Sequence, residues 1–108
     1  MGSAYALDIG ANATSTVNTD STVLQKFTGS NATLKVIDGA TLLRDNQPSL
    51  INEQTGGTVI VESGSTISAR VANTIQGIDS ANLTITNSGT IKAGTSKAIN
   101  LTDNEGAR

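Results

Sequence analysis

The sequence predicts an all-β protein, a parallel β-helix in the form of a three-sided β-solenoid with about four coils of about 24 residues. Three observations predict it. Branched aliphatics recur over a long period. LKVIDGATLL at 34–43, VIVESGSTIS at 59–68 and LTITNSGTIK at 83–92 start at Leu34, Val59 and Leu83, which lie 25 and 24 residues apart. A shorter period is nested inside: Leu34, Leu42 and Leu50 are eight apart, as are Val59, Ile67 and Ile75, and Leu83, Ile91 and Ile99. Finally, aromatic content is 2%, with Tyr5 and Phe27 the only rings. A sandwich or barrel normally fills a thick core with such rings. A solenoid core is one side chain deep from each wall, and stacked Val, Ile and Leu fill it.

The units align into four columns: Leu34/Val59/Leu83, Val36/Val61/Ile85, Leu42/Ile67/Ile91 and Leu50/Ile75/Ile99. All twelve residues are Leu, Ile or Val, and the pairs Leu34/Val36, Val59/Val61 and Leu83/Ile85 have the period-2 spacing of a strand with one buried face. After the first strand come Asp38-Gly39, Ser63-Gly64 and Asn87-Ser88-Gly89, residue types that accept a corner because Gly tolerates positive φ and short polar side chains bond their own backbone. Thr41, Thr66 and Thr90 form a column just before the second strand. Ile51 and Ile60 break strict alternation and are expected to be isolated exposed aliphatics. Pro48, two residues before Leu50, suits a corner or strand start, where no ladder N–H is needed.

A less regular unit precedes these three, with Leu7, Ile9 and Val23 at matching offsets, Ser15 in place of an aliphatic and Val17 as its substitute by a local shift. The predicted organisation is a disordered lead or cloning remnant at 1–6, one solenoid domain at 7–103 with coils 7–33, 34–58, 59–82 and 83–103, and a polar tail at 104–108. Ala4-Tyr5-Ala6 resembles a cleavage site but follows no apolar segment. The repeat runs close to the last residue, so the chain reads as a segment of a longer solenoid.

Composition narrows the chemistry. There is no Cys and no His, which removes thiolate nucleophiles, Cys-based zinc sites, the usual general base and a near-neutral charge switch. A net charge of −2 with scattered Lys and Arg argues against a nucleic-acid surface. No apolar run approaches the roughly 20 residues that span a bilayer. Among the carboxylates Asp38, Asp45, Glu53, Glu62, Asp79 and Asp103, Asp79 and Asp103 share an offset and could stack one coil apart, about 4.8 Å, repelling each other or sharing a cation. Exposed corner residues are the expected reading of both. Gly56-Gly57 is followed by Thr58-Val59, not by the Gly-x-Asp of a calcium-binding β-roll. Outward pairs Thr33/Lys35, Thr58/Ile60 and Asn82/Thr84 on the first side, and Thr41/Leu43, Thr66/Ser68 and Thr90/Lys92 on the second, leave a lysine on each face, which argues against ice binding. Four Asn-x-Thr sequons, at Asn12, Asn31, Asn82 and Asn100, are close to chance in so Asn- and Thr-rich a chain. No catalytic, cofactor-binding or metal-binding residue is assigned, and no enzymatic activity is expected.

The third unit, LTITNSGTIKAGTSKAINL at 83–101, resembles the repeat of bacterial autotransporter passenger domains: a strand, then Asn87-Ser88-Gly89-Thr90-Ile91, a short loop and Ala98-Ile99. Glu62-Ser63-Gly64-Ser65-Thr66-Ile67 and Asp38-Gly39-Ala40-Thr41-Leu42 are weaker matches, and filamentous haemagglutinin-like exoproteins share the motif. The resemblance covers about residues 34–103. It implies a right-handed helix, export across two membranes and residence at the cell surface or in the medium, outer-membrane association depending on a C-terminal barrel that is not in this sequence. It transfers no catalytic residue. Some members of the family carry sugars on Ser or Thr, for which Thr41, Thr66 and Thr90 are candidate positions.

The function expected from the sequence is therefore a structural or adhesive segment of a surface-exposed or secreted passenger, a rigid stalk in cell adhesion or self-association. Expected partners are further copies, through solenoid ends or faces, and host- or bacterial-surface molecules, with no nucleic acid and no membrane insertion. The alternatives are a fragment of a β-helix carbohydrate-active enzyme, disfavoured by the lack of clustered acids and aromatic platforms, and a self-assembling solenoid module.

Overall fold

Short aliphatic segments separated by turn residues become strands that find their hydrogen-bond partners one coil away. A computed structural model describes residues 6–78, 81–102 and 106. Among them are twelve strands, every pairing parallel, in three sheets. Sheet I is β2 (Thr14–Val17), β4 (Thr33–Val36), β7 (Thr58–Val61) and β10 (Thr84–Asn87). Sheet II is β5 (Thr41–Arg44), β8 (Thr66–Ala69) and β11 (Thr90–Ala93). Sheet III is β1 (Ala6–Ile9), β3 (Leu24–Phe27), β6 (Leu50–Asn52), β9 (Ile75–Ile78) and β12 (Ile99–Thr102). The chain visits I, II and III in turn, which makes it a parallel β-solenoid. Three turns are complete. Below them lies a shortened turn in which sheet II is reduced to a bridge between Ser21 and Leu42.

The core is the inward columns. Leu42 pairs with Ile67 and Ile67 with Ile91; Leu50 pairs with Ile75 and Ile75 with Ile99, as the sequence predicts. Leu34, Val36, Leu42, Leu50, Val59, Ile67 and Ile75 have no exposed surface, and Val61 is nearly as buried. Burial fades at the last turn, where Ile85 and Ile91 are half-buried and Ile99 is exposed. Ile51 and Ile60 point outward and are half-buried.

Two expected registers are corrected. Val59 lies under Ile85, and Val61 under Asn87, so Leu83 is not the third member of the first column. Thr58 to Thr84 is 26 residues rather than 24. The next corner absorbs the difference: Ser88-Gly89 alone joins β10 to β11, where residues 62–65 join β7 to β8. Leu83 is nonetheless fully buried, at the corner just before sheet I, with Gly57 and Ala32 in the same place one and two turns below. A Cβ on Gly57 would lie 2.8 Å from the Phe27 ring and 3.3 Å from Leu83, so the only described aromatic leans into the space that glycine vacates.

The second correction concerns the first coil. Leu7 and Ile9 lie in sheet III, paired with Gln25 and Phe27, not on the first side. The first-side strand of that coil is β2, where Ser15 lies under Leu34 and Val17 under Val36. Gln25 occupies the column of Leu50 and is buried. It is tolerated because its amide is bonded at both ends: Ser15 Oγ donates to Oε1 at 2.7 Å and Nε2 donates to the Val23 carbonyl at 3.1 Å.

The corner between sheets II and III is stitched by buried hydroxyls. Ser49 Oγ donates to the Ser68 carbonyl at 2.5 Å, and one turn on Thr74 Oγ1 donates to the Lys92 carbonyl at 2.7 Å. Pro48 sits immediately before Ser49, outside the strands.

Leu42 packs between Ser21 and Ile67 and has no exposed surface. Leu42→Asp therefore places an unpaired carboxylate in a core one side chain deep, and a loss of several kcal/mol is expected. Thermal unfolding followed by circular dichroism measures it. A melting curve that does not move would mean residue 42 faces solvent.

Candidate functional site

A stack of coils offers a ligand three flat sides, three corners and two ends. The side of sheet I is the most regular. Each of its strands opens with threonine, and the register superposes Thr14, Thr33, Thr58 and Thr84 in one outward rank. Two residues along, the second rank is Thr16, Lys35, Ile60 and Thr86. The outward pair of the last coil is thus Thr84/Thr86, not Asn82/Thr84. Neighbouring members of a rank are about 4.8 Å apart. Lys35 and Ile60 interrupt the second rank in the two middle coils. Sheet II carries Thr41, Thr66 and Thr90 in one rank, as the sequence predicts, and Leu43, Ser68 and Lys92 in the other. Sheet III carries Asp8, Lys26, Ile51, Gln76 and Asn100. There Gln76 Oε1 accepts from Asn73 Nδ2 at 2.6 Å and from Asn100 Nδ2 at 3.1 Å.

The corner before sheet I explains the threonine rank. Asn12, Asn31, Gly56 and Asn82 occupy equivalent places there, and all four have positive φ, between 56° and 76°. The backbone N–H of Asn12 bonds to the Ser30 carbonyl, that of Asn31 to Thr55, and that of Gly56 to Ala81. Asparagine is one of the few non-glycine residues that accepts this conformation. Where Gly56 replaces it, the Asn31 side chain fills the space, since a Cβ at residue 56 would lie 2.1 Å from Asn31 Oδ1. Asn12-Ala13-Thr14, Asn31-Ala32-Thr33, Gly56-Gly57-Thr58 and Asn82-Leu83-Thr84 are therefore one repeated device: a left-handed corner, a small or aliphatic residue that is buried in all but the first coil, and an outward threonine. Three of the four sequons are this corner. The fourth, Asn100, lies on β12 and bonds Gln76.

The carboxylates are dispersed. Asp38, Glu53 and Glu62 are exposed corner residues. Asp45 pairs with Arg70 at 2.8 Å, with both side chains largely exposed. Asp79 and Asp103, expected to share an offset, lie outside the described residues, as do Met1-Gly2-Ser3 and Tyr5. Among the described residues no three acidic side chains gather in a metal-binding arrangement, and no helix is long and apolar enough to cross a membrane. A cleft of about 270 Å³ opens at the first coil, lined by residues that include Leu7, Ser15, Val17, Ser21 and Gln25. It exists because sheet III extends one strand further than sheet I at this end, and because Ser15 and Ser21 stand where later coils carry aliphatics.

The observed register is directly testable in a chain without cysteine. Thr58→Cys with Thr84→Cys places two sulfurs on neighbouring strands about 4.8 Å apart, within the Cα range of a disulfide. This pair is expected to oxidise readily, and Thr58→Cys with Asn82→Cys slowly. Non-reducing mass analysis reads the difference, and the reverse order would restore the 24-residue frame. The corner has its own test. Asn82→Val should cost about 1–2 kcal/mol, because a β-branched residue resists positive φ, whereas Asn82→Gly should be close to neutral.

Comparison with known proteins finds no family model that matches the chain, no similar curated protein and no solved structure of significant similarity.

Proposed function

We propose that the chain is a non-catalytic structural and adhesive segment of a surface-exposed or secreted bacterial autotransporter passenger, working as part of a rigid stalk whose sides make repeated contacts. The observation that carries this reading is the repetition of outward side chains from coil to coil, foremost Thr14, Thr33, Thr58 and Thr84. A side that repeats every coil presents the same weak contact several times. Linked weak contacts gain strength through effective concentration rather than through any one strong site. The resemblance of Asn87-Ser88-Gly89-Thr90-Ile91 and Ala98-Ile99 to the passenger repeat supports the setting, as does a parallel stack that lends itself to lengthening by further coils. The described chain is itself a block of 32 × 30 × 27 Å, so the length of a stalk would come from more turns of the same kind.

Fluorescent beads coated with the protein test the reading against epithelial monolayers and against bacterial cells. Binding above that of beads coated with an unrelated β-rich protein is expected, falling steeply as coating density is lowered. Thr33→Glu with Thr58→Glu should reduce it without unfolding the chain. Binding no greater than the control on both surfaces would sink the adhesive part of the proposal.

A further inference from the structure

We propose that Asp38-Gly39 is a site of spontaneous backbone modification, at which aspartate rearranges through a cyclic imide to isoaspartate, and that Ser65 in the coil above sets the rate. The inference is independent of the adhesive reading, because it concerns one corner and the chemistry of its main chain.

The chain contains one Asp-Gly step and no Asn-Gly step. The reaction needs the backbone nitrogen of the following residue to reach the aspartate side-chain carbon, and glycine hinders that approach least. The step lies between β4 and β5, in a turn closed by the Ala40 N–H on the Ile37 carbonyl at 3.1 Å. Both central residues are exposed and both have positive φ, 61° at Asp38 and 75° at Gly39, as a type I′ turn requires. Among the described residues none holds the Asp38 carboxylate in an ion pair or hydrogen bond. The equivalent corner one coil on, Ser63-Gly64, has the glycine but no carboxylate.

The chemistry balances without a partner molecule. The Gly39 nitrogen gives up its proton to solvent and attacks Cγ of the Asp38 carboxyl in its protonated form, whose hydroxyl takes up a proton from solvent as it departs. A water molecule leaves, and a five-membered imide forms. Water then adds to one of the two imide carbonyls. Opening at the side-chain carbon restores aspartate, and opening at the former main-chain carbon gives isoaspartate of unchanged mass. The step most exposed to the fold is the first, because the same Gly39 N–H donates to Ser65 Oγ at 3.1 Å. Ser65 is fully buried, so its hydroxyl is a fixed acceptor. While that bond persists, the nitrogen keeps its proton and is held by the coil above, not turned toward the carboxylate. The product matters structurally, since isoaspartate inserts one extra carbon into the main chain at a corner that stacks on the next. An ideal Cβ on Gly39 would lie 4.0 Å from the Gly64 carbonyl oxygen.

The test is incubation of the whole chain at physiological temperature in mildly acidic buffer, where the carboxylic acid form that the cyclisation needs is present. Samples are then digested with a protease that cuts before aspartate but not isoaspartate. Isoaspartate is expected to build up at residue 38 ahead of Asp8, Asp20 and Asp45. Loss of a hydrogen bond of ordinary worth in Ser65→Ala should speed it roughly three- to tenfold, and unfolding in urea should speed it further. Asp38→Glu, which would need a larger ring, should leave the residue-38 peptide unmodified. Isoaspartate that forms first at another residue, or a native rate equal to the rate in urea, overturns the site or its protection. An unchanged rate in a Ser65→Ala variant with an unchanged melting curve overturns the role of Ser65. If that variant melts early, the comparison of native and urea rates for the unaltered chain still decides whether the fold guards the bond.

Discussion

Everything in this fold depends on the parallel ladder between coils. A strand of four residues cannot hold itself, and its backbone groups find partners only if the chain returns to the same place one turn later. The return must be accurate in register as well as position, because each inward side chain then rests on its counterpart. Leu42 on Ile67 on Ile91 is the plainest case. The corners are what make the return possible. The left-handed conformation at Asn12, Asn31, Gly56 and Asn82 turns the chain at the same point in each coil, and the threonine that follows starts the next strand. A repeat in sequence is here a repeat in backbone geometry, with the aliphatic columns as its consequence.

How much of this was legible follows from which signals were redundant. The second- and third-side columns were, since Leu42/Ile67/Ile91 and Leu50/Ile75/Ile99 offer one aliphatic per coil at a constant offset. The first-side column of the last coil was not. Leu83 and Ile85 are both aliphatic and two residues apart, so a slip of two preserves alternation and puts the same faces inward. Periodicity alone cannot separate the two frames. The corner separates them, because Asn82-Leu83-Thr84 matches Gly56-Gly57-Thr58 and Asn31-Ala32-Thr33 only in the 26-residue frame. That signal is present in the sequence as a set of Asn-x-Thr sequons, and its meaning at three of them is conformational. The first coil hid for a different reason. Leu7 and Ile9 fit the alternation of any side, while the strand on the first side, Thr14–Val17, carries only one aliphatic.

The polar residues inside the stack show how far the ladder rule bends. Gln25 stands in an aliphatic column because Ser15 and the Val23 carbonyl satisfy its amide. Asn52 is a harder case. It is fully buried between Phe27 and Gly77; its Oδ1 accepts from the Gln54 N–H at 2.9 Å, but its Nδ2 has no partner among the described residues. An unsatisfied buried donor costs about 1–3 kcal/mol. The Asn52 side chain is kept where it can cap the turn toward residue 54, so corner geometry takes precedence over core polarity at that position.

The same rule limits where recognition can reside. Inward positions are committed to their columns and corner positions to their backbone conformations. Only the outward ranks remain free to vary, and beside the two threonine ranks they do: Thr16, Lys35, Ile60 and Thr86 change at every step, and so do Asp8, Lys26, Ile51, Gln76 and Asn100. A ligand meeting such a side finds a regular lattice of positions carrying irregular chemistry. Deep, desolvated pockets of the kind that concentrate binding energy are hard to build on a flat sheet with strands about 4.8 Å apart. Contacts spread along the stack are easy to build, and their number grows with each added coil. The architecture therefore favours avidity over a single strong site, and the four-threonine rank on sheet I is where that argument has the most side chains behind it.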